Sequence, residues 1–215
     1  MYYTKIFAVL IIFTSYIHSN TFSYHRLGNG EKITLSHALH MEELKEGYTR
    51  ITKIGQGHIV EPGVPELPQF TTYYQLDPAK DYEFQLEVLE SYTIEDITIM
   101  PHQGMEKWEI DEVSIINEQV YNSYTAFPKE NMNVSDRSQG RGIEFVRINV
   151  IPYSYYPKYN RLEVYTSVDI HVIEVGENPD RQLNQPKRSH IFDELYKDLI
   201  VNFEYSDRDD DYQAQ

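Results

Sequence analysis

The stretch RLEVYTSVDIHVIE, Arg161 to Glu174, alternates between two sets of side chains and decides the fold class. A period of two places successive side chains on opposite faces of a β-strand. Six residues share the apolar face: Leu162, Val164, Thr166, Val168, Ile170 and Val172. The residues between them are charged, polar or aromatic. The stretch therefore predicts a strand with one face in a core and the other in water.

The segment just upstream repeats this period. GIEFVRINVIP, Gly142 to Pro152, places Val146, Ile148 and Val150 on one face. The intervening YSYYPKYN, Tyr153 to Asn160, contains the proline and asparagine that are typical of a turn. Together the two segments predict a long β-hairpin.

Further segments have the composition of strands, and most are separated by Gly, Pro, Asp or Asn: Tyr48–Ile54, Phe70–Leu76, Tyr82–Ser91, Ile94–Met100 and Ile110–Val120. Clear helical spacing occurs in SHIFDELYKDLIVNF, where Ser189 is placed to cap the first turn. SHALHMEEL, Ser36 to Leu44, is also compatible with a short helix. We expect an all-β protein, an antiparallel β-sandwich of the jelly-roll type, with a C-terminal helix.

The amino terminus, MYYTKIFAVLIIFTSYIHSN, has the order of a secretory signal peptide, with Lys5 before an apolar run and small polar residues after it. The run is shorter than the roughly 20 apolar residues that span a bilayer, so we expect cleavage near Ser19 and no stable membrane anchor. The predicted organisation has five parts: a signal peptide at 1–19, a β-sandwich at 20–175, a polar linker at 176–188, a helix at 189–204 and an acidic tail at 205–215.

The charge balance restricts the partners. The chain has 34 Asp and Glu against 19 Lys and Arg, a formal net charge of -15. Because phosphate binding depends on cationic side chains, we expect no nucleic-acid partner. Cysteine is absent. This excludes disulfides, thiolate metal sites and a cysteine nucleophile in these residues.

Candidate metal sites are weak. His37 and His40 are spaced by one turn of a possible helix, with Glu42 and Glu43 beside them, but nothing downstream supplies a third ligand. The cluster from Asp207 to Asp211 lacks the alternating oxygen ligands and central glycine of a calcium loop. We therefore expect neither a metal ion nor another cofactor.

A proline- and glycine-rich loop carries a family resemblance. GQGHIVEPGVPELPQF, Gly55 to Phe70, is a stiff, repeatedly kinked entry into a strand. It resembles the GxPxLP signature of the gingipain-type propeptide, the N-terminal prodomain of a group of secreted bacterial cysteine peptidases. Three further stretches resemble that family in the same order: Ile97–Pro101, Arg141–Tyr165 and Phe192–Asn202.

The resemblance implies a β-sandwich prodomain that helps its peptidase fold, keeps it latent during export and is then removed. In such a prodomain a basic loop residue enters the specificity pocket in the manner of a substrate. The matching loop precedes Ile143 and offers Arg137 first and Arg141 second, with Lys129 as a third candidate. A guanidinium can pair bidentately with a carboxylate at the bottom of a pocket. Alternatively, the two arginines only solubilise a hairpin connection.

Because the chain contains no cysteine, it cannot itself be the cysteine peptidase. The resemblance implies a non-catalytic partner for the catalytic domain of a gingipain-like peptidase, in cis or in trans, in a secreted, periplasmic or cell-surface bacterial setting. Arg188 in the linker and Arg208 in the tail are candidate processing sites. A second hypothesis is a secreted β-sandwich module that binds carbohydrate or a cell-surface ligand through exposed tyrosines.

Overall fold

In this computed structural model, the described residues are 21–28, 30–52, 57–104, 113–140, 142–177 and 190–203. They form strands β1 to β12 in chain order: Thr21–Leu27, Gly30–Ser36, His40–Glu43, Thr49–Thr52, Gly57–His58, Pro68–Leu76, Lys80–Ile94, Met132–Val134, Ser138–Gly140, Ile143–Val150, Tyr153–Tyr156 and Arg161–Glu177. Two helices accompany them: α1 at Glu118–Tyr121 and α2 at His190–Leu199. The predicted signal peptide, the acidic tail and most of the linker lie outside the described residues.

The first sheet is organised around β12, the strand predicted from its alternating sequence. One edge of β12 pairs antiparallel with β7 along its length, from Leu162↔Ile94 to Glu177↔Lys80. The other edge pairs first with β11 and then with β2, which in turn pairs with β1. A 17-residue strand with partners on both edges thus forms the centre of this sheet.

The second sheet is built on β6 and β10, which pair antiparallel from Glu144↔Leu76 to Val150↔Phe70. The short strand β5 extends the sheet at β6. At the other edge, β10 pairs with both β8 and β9, so two short strands from one loop share one long partner. This edge carries the candidate site.

The inward faces of the two sheets share one core. The apolar face of β12 is buried at every predicted position except Thr166, which lies at an irregularity in the β7–β12 register. Alternate residues of β6 and β10, such as Phe70 and Ile148, face the same core. Burying one such side chain contributes about 1.5–3 kcal/mol. The all-β, antiparallel sandwich prediction is confirmed.

The predicted hairpin between β10 and β12 is wrong. The two strands lie in different sheets, and Ile151 and Pro152 carry the chain from one sheet to the other. The hairpin that forms joins β11 to β12 through a short turn that ends at Asn160, whose φ of 46° is left-handed. Alternation predicts which face of a strand is buried, but it does not predict which sheet the strand joins. The predicted turn, Tyr153 to Asn160, also contains a strand, β11.

Three other local predictions differ from the structure. Ser36–Leu44 forms no helix; it contains the end of β2 and all of β3. Of the predicted strand Ile94–Met100, only Ile94 lies in a strand, as the last residue of β7, and Ile99 forms an isolated bridge with Thr49. In the part of Ile110–Val120 that the structure describes, no strand forms and α1 begins at Glu118, because the Asn117 side chain accepts a hydrogen bond from the Val120 amide at 3.3 Å.

The predicted C-terminal helix is present as α2, and the residues after it dock on β6. The Val201 amide donates to the Tyr73 carbonyl at 2.9 Å. The Asn202 side chain accepts from the Gln75 amide at 2.7 Å and donates to the Gln75 carbonyl at 2.9 Å, like an added strand residue. No helix among the described residues is long and apolar enough to cross a membrane.

Candidate functional site

The candidate site is the loop that joins β8 to β10, the segment where the sequence places its arginines. Ser135 follows β8 and is held to β10: its amide donates to the Arg147 carbonyl at 2.9 Å, and its hydroxyl accepts from the Arg147 amide at 3.0 Å. Strand β9 then pairs with β10 from Phe145↔Ser138 to Ile143↔Gly140. Backbone hydrogen bonds therefore order a segment that has few apolar side chains.

Arg137 lies between the two sheets. Its Nη2 atom donates to the Lys80 carbonyl at 2.5 Å and to Asp81 Oδ1 at 3.0 Å, both at the start of β7. Its Nη1 atom lies 3.5 Å from Glu144 Oε2 on β10. The guanidinium is thus a cross-link from the first sheet to the second.

Glu144 makes this cross-link important for stability. Its side chain is 4% exposed, and its Oε2 accepts no hydrogen bond from any described residue. A buried carboxylate without a compensating charge is costly, and Arg137 supplies the nearby charge. Arg137, which sequence reasoning treated as a free loop residue, therefore has intramolecular partners on three sides.

The other predicted basic residues are placed differently. Lys129 is exposed and forms no ion pair with any residue that the structure describes. Arg141 lies outside the described residues, as do Arg188 and Arg208. The positions on either side of Arg141 are described: Gly140 ends β9, and Gly142, with a φ of 85°, precedes β10. Arg141 and Gly142 are thus the two residues that connect the paired strands.

Helix α2 packs against the end of the hairpin that β9 and β10 form, here called the edge hairpin. The Tyr196 ring lies 6.4 Å from the Phe145 ring, centroid to centroid. A Cβ atom on Gly140 would lie 2.7 Å from the Tyr196 hydroxyl and 3.3 Å from the Phe145 ring. An alanine here would require the Tyr196 side chain to shift, so the hairpin end packs closely against the C-terminal helix.

The two histidines considered as metal ligands do not form a site. His37 is 4% exposed, its Nε2 lies 2.7 Å from the Tyr165 carbonyl and its Nδ1 lies 3.4 Å from the Tyr153 hydroxyl. A neutral ring with its proton on Nε2 would donate to the Tyr165 carbonyl and accept from the Tyr153 hydroxyl. Burial lowers the pKa of His37, although the hydrogen bond to Tyr165 opposes this shift. His40 is exposed on β3, and Asp207 to Asp211 lie outside the described residues.

Sequence reasoning missed a different group. His58, Glu66 and His102 bring their ligand atoms within 4.8 Å of one another. The three residues lie 8 and 36 positions apart, so no compact metal-binding motif marks them. The one sequence feature that pointed to this region was the proline- and glycine-rich loop Gly55–Phe70, which contains His58 and Glu66.

The described residues form an antiparallel β-sandwich with a docked C-terminal helix, in a chain that contains no cysteine. The family model Propeptide_C25 matches residues 37–209. The chain belongs to the Propeptide_C25 family, which confirms the resemblance drawn from its motifs.

Curated relatives share part of their length with this chain. Gingipain R2 of Porphyromonas gingivalis is 27% identical over 169 residues, which are 75% of this chain and 23% of the relative. Gingipain R1 of the same organism is 25% identical over 164 residues, 74% of this chain and 16% of the relative. The chain thus spans less than a quarter of the curated relatives it matches.

Solved structures share the fold. One is titled a complex of Porphyromonas gingivalis RgpB pro- and mature domains; its matched chain superposes with a TM-score of 0.64 at 22% identity, covering 85% of this chain and 98% of that one. Another, on the zymogenic latency of gingipain K from the same organism, has a TM-score of 0.53 at 20% identity, covering 73% and 92%. Nearly all of each matched chain is therefore accounted for by this fold.

Proposed function

We propose that this protein is the prodomain of a secreted gingipain-like cysteine peptidase, which it helps to fold and holds latent during export. The observation that carries the proposal is the match of the Propeptide_C25 family model to residues 37–209. The likeness of the sandwich to a chain in a complex of pro- and mature domains supports the same partner, the catalytic domain, bound in cis or in trans. Residues 1–19 direct export, and Arg188 and Arg208 are the sites at which the prodomain is released.

Latency is achieved by a basic residue that occupies the specificity pocket of the peptidase. We place Arg141 ahead of Arg137, which reverses the order expected from sequence, because Arg137 already has partners within the domain. Arg137 would have to leave Asp81 and the Lys80 carbonyl and abandon Glu144 before it entered a pocket. In the sequence, Arg141 stands between the residues of β9 and those of β10 and is the other arginine of the loop. Lys129, exposed upstream of β8, is the third candidate.

A hairpin that is ordered before binding makes a good inhibitor for two reasons. Less conformational entropy is lost when the complex forms. The fixed backbone also keeps the scissile carbonyl away from the attacking geometry that cleavage requires. The β10 ladder, the Arg137 cross-link and the Tyr196 contact all supply this order.

Inhibition of a gingipain-like peptidase by the purified prodomain tests the proposal. We expect Arg141→Ala to raise the inhibition constant about 100-fold, the effect of losing one interface hot spot. Arg147→Ala, which removes an exposed arginine from β10, is the matched control and leaves the constant unchanged. An unaltered constant for Arg141→Ala, with a large loss for Arg137→Ala or Lys129→Ala, would transfer the role to that residue. A wild-type prodomain without effect on the peptidase rejects the proposed function.

The alternative binding module depends on exposed tyrosines. Three of the largest fully buried side chains are Tyr74, Tyr153 and Tyr155. Their rings fill the core between the sheets, so part of the tyrosine enrichment has a packing role. Among the exposed tyrosines, Tyr124 and Tyr159 lie with their ring centroids 5.7 Å apart. One pair of rings does not by itself form a carbohydrate-binding surface, so we propose only the first function.

A further inference from the structure

Three potential metal ligands meet at the end of the sandwich where β5 and β6 pair. His58 is in β5, Glu66 is in the loop before β6, and His102 follows the Pro65↔Pro101 bridge. His58 Nε2 lies 3.7 Å from Glu66 Oε1, and His102 Nδ1 lies 4.0 Å from Glu66 Oε2. The two imidazole rings are 5.2 Å apart between centroids. The carboxylate therefore lies within reach of both rings.

We propose that His58, Glu66 and His102 bind one Zn²⁺ ion, with water in the fourth position. Two imidazole nitrogens and one carboxylate oxygen form a ligand set that zinc accepts in tetrahedral coordination. Ligand atoms about 2.1 Å from a tetrahedral ion lie about 3.4 Å from each other. The observed separations of 3.7 and 4.0 Å run to the two different oxygens of Glu66, and the three ligand atoms lie within 4.8 Å of one another. Rotation of the Glu66 carboxylate and of the imidazole rings would bring one oxygen and both nitrogens to the ion.

The backbone already holds the three segments together. The Gly63 amide donates to the His102 carbonyl at 2.7 Å, and the His102 amide donates to the Val64 carbonyl at 2.8 Å. The Glu66 amide donates to the Met100 carbonyl at 2.9 Å. Because these backbone segments are hydrogen-bonded to each other, binding of an ion would require little reorganisation of the backbone.

Gly63 shows how closely this loop packs. Its φ is +83°, and a Cβ atom there would lie 2.7 Å from the Asn117 amide nitrogen. Gln103, next to the ligand His102, is 6% exposed, and its side chain bonds to the backbone of Pro101, Ser114 and Ile115. The walls of the site are therefore fixed on the side opposite the solvent.

Burial is graded across the cluster. The side chain of His102 is 6% exposed, that of Glu66 is 21% exposed and that of His58 is 36% exposed. An ion can enter past His58 and meet a buried imidazole at the bottom. The Nε2 atom of His102 is buried and has no hydrogen-bond partner among the described residues, which is an uncommon state for a buried ring. Ligation through Nδ1 would place the proton on Nε2, which still has no partner among the described residues, so the gain would come from the metal–nitrogen bond alone.

The chemistry of the donors selects the class of ion. Imidazole suits zinc and its late first-row neighbours, whereas calcium and magnesium prefer six or more oxygen ligands. Bound zinc would cross-link the proline-rich loop to the segment that leads into residues 113–116 and would stabilise the folded domain in proportion to its binding. The alternative use of the cluster is an ion pair between Glu66 and a protonated histidine, which requires no metal.

Titration calorimetry of the purified, tag-free protein with Zn²⁺ alone distinguishes these uses. We expect one Zn²⁺ per chain, and a loss of affinity of at least about 100-fold in His58→Gln and in Glu66→Gln, which exceeds the usual effect of altering an outer ligand. The matched control is His171→Gln, because His171 also pairs with a glutamate, at 2.7 Å from Glu87, and is similarly exposed at 39%. We expect this control to change the affinity less than about 3-fold, since one imidazole and one carboxylate do not hold zinc tightly.

The visible absorption of bound Co²⁺ reports metal coordination directly, and a purely structural role of the three residues would not produce it. Co²⁺ bound in place of Zn²⁺ should give the intense visible absorption of a tetrahedral centre in the wild type and in His171→Gln, and not in His58→Gln. Circular dichroism confirms that His58→Gln is folded, which its partly exposed position favours. Absence of saturable Zn²⁺ binding, or equal losses in His58→Gln and His171→Gln, overturns the proposal.

Discussion

Arg137 Nη2 lies 3.0 Å from Asp81 Oδ1, and this contact ties the arginine-bearing edge hairpin to the first residues of β7 in the opposite sheet. The same guanidinium lies 3.5 Å from the buried Glu144. One side chain thus links the two sheets from within the loop that joins β8 to β10. Under the proposed function, Arg141 and not Arg137 enters the peptidase pocket, so mutations of the two arginines should have separable effects.

Arg137→Ala should destabilise the free prodomain. The change leaves the Glu144 carboxylate buried without its cation and removes the hydrogen bonds to Asp81 and Lys80. Because Asp81 is 45% exposed, most of the cost comes from Glu144, and we expect a loss of about 1–3 kcal/mol. Urea unfolding followed by circular dichroism measures the free energy of unfolding.

The matched control for this change is Arg147→Ala, which removes an exposed arginine from β10, the strand that also carries Glu144. We expect it to stay within about 0.5 kcal/mol of the wild type, as most surface substitutions do. Adding Glu144→Gln to Arg137→Ala should recover part of the loss, because the buried charge is then absent. Equal stabilities for Arg137→Ala and Arg147→Ala would contradict the structural role.

The sequence predicted the fold well where period-two patterns were long. Alternation in β12 identified its buried face correctly, and helical spacing located α2. The pattern could not show that Asp169, on the wet face, would be 3% exposed, because its partners Lys32 and Thr34 lie more than 130 positions away. Burial opposes ionisation of Asp169, yet hydrogen bonds from these two side chains outweigh it and lower the pKa of the carboxyl group.

The candidate site was predicted less completely for the same reason. Motif resemblance located the loop, but the contacts of Arg137 depend on β7, which is distant in sequence and belongs to the other sheet. The cluster of His58, Glu66 and His102 likewise forms through a bridge between two irregular segments. Local periodicity carries no information about such pairings, since they are set by how the sheets pack.

Acidification from pH 7 to pH 5 should destabilise the domain partly through His37. Burial lowers the pKa of this ring below the ordinary 6.5, so protons bind the unfolded state before they bind the folded one. The contribution of His37 is therefore fully present above about pH 6.5 and is lost as the pH falls toward the folded pKa. Thermal unfolding midpoints across this range measure the effect.

His37→Gln separates this contribution from that of other histidines. Glutamine can still donate to the Tyr165 carbonyl but does not titrate, so we expect a lower midpoint at pH 7 and a flatter decline toward pH 5. His171→Gln, at an exposed position beside Glu87, should leave the slope that depends on His37 in place. A decline as steep in His37→Gln as in the wild type would assign the acid sensitivity to other groups.

Gly140→Ala should weaken the contact between the edge hairpin and α2. The added methyl group would lie 2.7 Å from the Tyr196 hydroxyl, so the ring must move away from Phe145 and from the hairpin end. We expect a loss of about 1–2 kcal/mol in stability, typical of overpacking at a close contact, and faster proteolytic cleavage within α2. Adding Tyr196→Phe removes the atom that clashes and should restore much of both properties. Because the backbone of Gly140 is not left-handed, alanine brings no conformational strain of its own, and failure of the double variant to recover would show that the hairpin and the helix are not coupled through this contact.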